Sequence, residues 1–384
     1  MSAPLYFDYM ATTPMDNRVI EPMVECLGVA GNFANPASQH GLGQRAAKAV
    51  DEARVQVANA INASSEEIIW TSGATESDNL AIKGAASFYQ RNGKHLITLH
   101  TEHKAVLDCF QVLERQGFRV TYLTPKTNGL IDLQQLEEAM CDETILISVM
   151  HVNNEIGVIQ PIAEIAKVIK NKGIIFHVDA AQSMGKTPVD VKAMGADLVS
   201  FSAHKAYGPK GVGALYVRSR PRDRLEAQIH GGGHERGYRS GTLATHQLVG
   251  MGKAFELASE LQEEESKRIA GFFEMILSKV MTLGGVYLNG CASNRVFNNI
   301  SLSFEGVDGE SLLYALSDLC VSTASACASA SIEPSYVIKR LGVSDALAHS
   351  TIRLSLGRFT TKNDVDIAIE CILTQVKRLR SLGL

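Results

Sequence analysis

The segment DLVSFSAHKAYG closes an apolar run with Ser202, Ala203, His204 and Lys205, and the run before it, IIFHVDAAQ, closes on Asp179. A lysine and an aspartate thus stand at the ends of consecutive apolar strands, where burial disfavours either charge unless something pairs with it. Desolvation lowers a lysine's pKa and frees its amine for Schiff-base chemistry. A carboxylate set against a pyridine nitrogen keeps that ring protonated and electron-withdrawing. Together the two residues describe a pyridoxal-phosphate site, although Asp179 taken alone reads equally well as a helix N-cap or a salt-bridge acid.

Other residues could complete such a site. In TSGATESDN, Ser72, Gly73, Ala74 and Thr75 lie between a strand end and a helix start, where free backbone N–H groups can hold a phosphate. A plain helix cap is the rival reading. Ser202 and His204 would add side-chain donors to the same phosphate. His103 in TEHKAV follows another strand and could stack on a planar ring and move protons, or be a surface histidine. Asn154 in MHVNNEIG and Gln182, three residues after Asp179, could hydrogen-bond ring substituents, or simply turn the chain. Cys327 sits among small residues in LCVSTASACASASIEPS, which reads as an exposed loop bearing one reactive thiol or as a linker with an incidental cysteine. Arg353, inside the apolar stretch STIRLSLGRF, needs an anionic partner, either a substrate carboxylate or a structural acid.

The elements that must position these residues are legible. From about residue 65 to 217, short apolar runs alternate with helix-length segments, the signature of a largely parallel sheet with helices on both faces. Right-handed crossovers then bring the C-terminal strand ends to one rim, where ligands bind in such folds. Beyond GGGHERGYRSGT, a charged helical pattern from about Leu248 to Met281 could serve as a spine between two domains. The remainder, with VYLNG, NNISLSF, LCVSTASAC, TIRLSLG and a final helix from about Lys362, reads as a smaller α+β unit.

Bulk properties narrow the class. The chain has 384 residues, 45% hydrophobic and 20% charged, which suits a globular enzyme of more than one core. A formal charge of -4 argues against a general nucleic-acid footprint, and no segment approaches a membrane span. The start, MSAPLYFDYM, carries neither a secretory nor a transit signature, so the expected location is the cytoplasm. The seven cysteines are scattered without a Cys-x-x-Cys pair, as expected of free thiols in a reducing compartment.

Taken together, the motifs YFDYMATTP, NPASQHGLG, TSGATESDNLAIKG, TEHKAVLD, HVNNEIG, HVDAAQSMGK, SFSAHKAYGPKGVGALYVR, GGGHERGYRSGT, SACASASIEPSYV and TIRLSLGRFTT span nearly the whole chain. In them it resembles the cysteine desulfurases of the IscS/NifS type, class V members of the fold-type I pyridoxal-phosphate enzymes. The resemblance implies an α/β fold: a large domain, residues 15–258, with a mostly parallel seven-stranded sheet, and a smaller α+β domain, residues 1–14 and 259–384, carrying the cysteine loop. It implies that Lys205 holds the cofactor as a Schiff base, that His103 stacks on the ring, that Asp179 meets its nitrogen, and that Gln182 and Asn154 serve its polar edge. The phosphate would fall to Ala74, Thr75, Ser202 and His204 beside Ala203, with Thr242 reaching over from a second subunit of a homodimer. Arg353, with Asn154, would hold the carboxylate of L-cysteine. Lys205 and His103 would shuttle protons, and Cys327 would take the sulfur as a persulfide.

By the same resemblance, alanine is the product, and the sulfur passes to an iron–sulfur scaffold protein and to other acceptors, including those of tRNA thiolation. Cys327 would there be a shared ligand of a nascent 2Fe-2S cluster. Two departures stand out. Ala203 and Ala324 replace glycines usual in relatives, which restricts φ and should stiffen the cysteine loop. The chain also ends at LRSLGL, short of the tail that relatives use to dock a scaffold. The competing readings are a lyase or aminotransferase acting on selenocysteine or another amino acid, and a binding protein that keeps the fold without catalysis. A nicotinamide dehydrogenase is disfavoured because no convincing G-x-G-x-x-G follows the first strand.

Overall fold

The computed structural model describes residues 4–219, 225–323 and 334–383. Its strands are β1 (Leu5–Tyr6), β2 (Ile68–Thr71), β3 (His95–Leu99), β4 (Arg119–Leu123), β5 (Thr144–Met150), β6 (Ile175–Asp179), β7 (Leu198–Ser202), β8 (Gly213–Val217), β9 (Val286–Leu288), β10 (Asn299–Phe304), β11 (Leu319–Cys320), β12 (Ser322–Thr323) and β13 (Thr351–Ser355). Seven of them form one sheet in the order β2-β8-β7-β6-β5-β3-β4. Pairing is parallel from β7 through β6, β5 and β3 to β4, and antiparallel only where β8 meets β2 and β7. Because β8 alone runs backwards, β2, β3, β5, β6 and β7 all end on one rim. That rim is where the predicted site residues of the large sheet fall.

Strands covered on both faces should be apolar on both, and these are. Ile97, Leu99, Ile147, Val149, Phe176, Val178, Val199 and Phe201 pack on one face with Trp70 and the helix Gly41–Ala60. Leu96, Leu146, Ile175 and Leu198 pack on the other, against the helices Ala74–Tyr89 and Lys104–Arg115. The period of two assigns His177 and Asp179 to the same face as Ile175. On that face His177 bridges its neighbours, with Nδ1 2.8 Å from Ser148 Oγ and Nε2 2.9 Å from Ser200 Oγ. A polar row therefore crosses three strands just below the rim.

A second sheet, β12-β13-β10-β9, is antiparallel and has its own core, which includes Phe7, Ile300, Leu302, Phe304, Ile352, Leu354, Ile372 and Val376. The spine expected from about Leu248 to Met281 is one helix, Thr245–Val280. Its first part buries Leu248, Met251, Phe255 and Ala258 in the core of the large sheet, and its second part buries Ile269, Phe273, Ile276 and Val280 in the other. No described helix is long and apolar enough to cross a membrane.

Candidate active site

The ends of β2, β3, β5, β6 and β7 on the rim each deliver one or more of the predicted residues. After β2 the chain turns through Gly73, at φ +150°, into the helix Ala74–Tyr89, whose N-terminus receives no side-chain cap. Only glycine tolerates that φ readily. A Cβ on Gly213 would come within 2.6 Å of Gly73 Cα, so β8 also demands glycine beside the turn. Ala74 and Thr75 occupy the first turn of this helix, and the Ser72 N–H donates to Glu76 Oε2 at 2.7 Å.

After β3, His103 caps the helix Lys104–Arg115, its Nδ1 accepting the Ala105 N–H at 3.1 Å, so the ring proton sits on Nε2. Burial lowers its pKa from the usual value, opposed by the field of Asp179 and reinforced by that of Lys205. Asp179 is buried and accepts the Ala181 N–H at 2.9 Å. Burial pushes its carboxyl up from the usual range, while that N–H, His103 and Lys205 pull it down. These mutual influences show that Asp179, His103 and Lys205 lie within each other's electrostatic reach. Two further buried acids, Asp78 and Glu102, act on or feel Asp179, and burial raises both well above the carboxylate range.

Lys205 follows β7 in a short 3-10 turn with Ala203 and His204. Its Nζ donates to Met10 O at 2.7 Å and Ala11 O at 2.6 Å. Gln182 Nε2 donates to the same Met10 O at 2.9 Å, and its Oε1 accepts from Lys186 Nζ at 3.1 Å. His204 Nδ1 lies 3.0 Å from Thr12 Oγ1, and its carbonyl accepts from Thr13; burial, with Lys205 next in effect, lowers its pKa to about 4. Ser202 is buried at the strand end. Ala203 is buried and absent from the non-glycine residues of positive φ, so the alanine costs no backbone strain at this position.

Arg353 on β13 meets the rim from the second sheet. Its terminal nitrogens donate to Asp8 Oδ1 at 2.7 Å and to Asn154 O at 2.9 Å, while its buried Nε has no partner. The anion its burial demands is, within this chain, a structural acid. Asn154 is buried, and its Oδ1 is also unpartnered. Thr242 is exposed and enters none of these contacts. Cys327 and Ala324 lie outside the described residues. Among the described residues no group of three or more His, Cys, Asp or Glu side chains is placed to hold a metal ion.

Comparison with known proteins settles the family. A model of the class-V aminotransferases matches residues 5–367. The chain is 58% identical, over all of its own length and 95% of the relative's, to a protein of Vibrio atlanticus (strain LGP32) named cysteine desulfurase IscS. The chain belongs to the cysteine desulfurase family of the class-V aminotransferases. Among solved structures, a NifS-like protein matches 98% of the chain and 100% of its own, at 35% identity and a TM-score of 0.91. A structure described as SspA in complex with cysteine matches 93% of the chain and 100% of its own, at 41% identity and a TM-score of 0.83. The family places the chain among enzymes that use pyridoxal phosphate, in fold type I, as the seven-stranded sheet does.

Sequence reasoning missed the segment Phe7 to Thr13 as part of the site. It touches Lys205 and Gln182 through backbone carbonyls that no residue type announces, and His204 and Arg353 through the side chains of Thr12, Thr13 and Asp8. Lys186 was equally unmarked, four residues beyond Gln182 in a helix-like turn.

Proposed function

We propose that the chain removes sulfur from L-cysteine, releasing L-alanine and leaving a persulfide on Cys327. The observation that carries this reading is the meeting of Lys205, Asp179 and His103 on one rim, each within the others' fields. The residues present suit pyridoxal phosphate. An uncapped helix N-terminus stands ready for a phosphate, a buried acid at the end of β6 for a ring nitrogen, and the unpartnered Asn154 Oδ1 for a polar neighbour.

On this reading Lys205 would hold the cofactor through its amine, and the backbone of Ala74 and Thr75, with Ser202 and His204 beside Ala203, would hold its phosphate. Thr242 of a second copy in a homodimer joins them. When bound, the cofactor supplies an electron sink for charge developing on the substrate's α-carbon. Asp179 would meet the ring nitrogen, a positive partner that would draw its carboxyl back toward the ionised form. His103, kept neutral by its burial, and Lys205, once free, move protons at the substrate. Arg353 turns its unpartnered Nε to the substrate carboxylate beside Asn154.

The Cys327 thiolate takes the substrate sulfur and passes it to acceptors, among them an iron–sulfur scaffold protein, with which it shares a 2Fe-2S ligand position, and the tRNA-thiolation machinery. The setting for these partners is the cytoplasm. We place the large domain at residues 15–258 and the small one at 1–14 and 259–384. The large-sheet core ends at Ala258 and the second resumes at Ile269, with Phe7 packed into it, which supports that division.

Mass spectrometry after adding cysteine tests the reading. A sulfur adduct on Cys327 is expected in the wild type and none in Cys327→Ser, while Lys205→Ala should yield no alanine. Alanine released from the wild type with no adduct on any cysteine would remove the persulfide step.

A further inference from the structure

Lys205 also borders a cavity of about 190 Å³ behind the rim. The cavity lies between residues 184–188, the helix Thr245–Val280, residues 295–298 and residues 356–358. Asp179, His103, Asn154, Gln182 and Arg353 do not line it. Two cations that do line it have no carboxylate among the described residues. Lys186 Nζ donates only to neutral oxygens, Gln182 Oε1 and Lys205 O, each at 3.1 Å. Arg295, 3% exposed, spends its terminal nitrogens on four backbone carbonyls, those of Asn289, Cys291, Ile156 and Asn299, and its Nε has no partner. The acid in the lining, Glu265, is already bound by Arg358 at 2.6 Å, which Asp16 holds from another side at 2.8 Å.

Buried cations without a counter-charge are unfavourable, and proteins normally pair them. Here nothing does. Burial is the first cause that lowers Lys186 to about 7 and Arg295 to about 10, and no carboxylate offsets it at either. We propose that this cavity binds a small oxyanion, with a short-chain carboxylate as its preferred form. The Lys186 ammonium would take the charged oxygens with the Arg295 guanidinium adding its field from the lining, while Ile159, Met184, Ile269 and Val296 suit a short aliphatic tail. The site is distinct from that of the substrate, whose carboxylate the proposed function assigns to Arg353.

The charged and titratable groups around Lys186 are Lys205, His204, Arg295, Tyr9, Tyr207 and the Glu265–Arg358 pair. An anion beside Lys186 stabilises its charged form, so binding should take up a proton above the amine's pKa and tighten as the pH falls from 8 to 6. Tyr9 and Tyr207, whose pKa values are raised by burial, do not change charge in that window.

Titration calorimetry on the cofactor-loaded enzyme tests the proposal, with propionate, sulfate and the neutral propionamide as probes. Propionate should bind and propionamide should not; sulfate binding in place of propionate would keep the oxyanion site but assign it to an inorganic ion. Lys186→Met should weaken binding about tenfold or more, as expected for a lost charged hydrogen bond. Ser266→Phe, which fills the cavity from the spine helix, should abolish it. A far-UV spectrum matching the wild type certifies the fold of each variant. Absence of binding by either anion, or binding kept in both cavity variants but lost in Arg353→Gln, overturns the proposal. The latter result would put the anion at the rim, leaving the reading of Arg353 intact.

Discussion

The strand-end turns and the N-terminal segment reach the same residues by different means. Turns after β2, β3, β5, β6 and β7 present side chains whose height on the rim is fixed by sheet register. The segment Phe7 to Thr13 approaches from outside the sheet. It offers main-chain carbonyls to Lys205 and Gln182, two threonines to His204 and one carboxylate to Arg353. On the proposed function the first region supplies the chemistry, and the second holds in place the groups that do it. Changes in the first should therefore act on turnover, and changes in the second on position and stability.

The largest effect should come from Asp179→Ala, which removes the acid proposed to meet the ring nitrogen. Turnover should fall by about 100-fold or more, the usual scale for losing a preorganised electrostatic partner of developing charge. Steady-state alanine formation measures it, and a loss below tenfold would break the division. Asp8→Asn comes next. It leaves the Arg353 guanidinium, 5% exposed, without its anion. Urea unfolding should show a loss of about 2 kcal/mol, moderated by the partial exposure of Asp8, with KM for cysteine changing more than kcat. A kcat effect as large as that of Asp179→Ala would erase the contrast.

Acid should unfold the protein by way of the large sheet and its strand ends. Burial is the first cause holding His95, His151 and His204 down to about 4 and His177 down to about 3. Each is neutral when folded and free to protonate near 6.5 when unfolded. Their contribution is complete above about 6.5 and is lost as the pH falls toward about 4, because only the unfolded chain takes up the proton. Unfolding free energies at pH 7.5, 6 and 5 should decline progressively, and a flat profile would contradict the buried neutral rings. The smallest effect belongs to Thr12→Val, which cuts the contact to His204 Nδ1. About 1 kcal/mol should be lost in the same unfolding assay, with kcat unchanged.

How far the sequence reveals this site follows the same line. Lys205, Asp179 and His103 could be placed because each closes or follows an apolar run, and a parallel sheet brings such ends together. The polar row of Ser148, His177 and Ser200 was within reach of the same logic, since His177 precedes Asp179 by the strand period. Asp8 was not: it meets Arg353 across 345 positions, and nothing near either residue marks the other. Lys186 and Arg295 were hidden for another reason. Each looks like an ordinary surface cation until packing encloses it.

One helix, Thr245–Val280, lends its first turns to one core and its last turns to the other. At 36 residues it is a rod of about 54 Å, too stiff to bend between them without breaking its own ladder of bonds. Neither half can melt by itself while that rod stands. Heating should thus dissolve both in a single cooperative step, and any motion of one core against the other must pivot on the other strands of chain that join them.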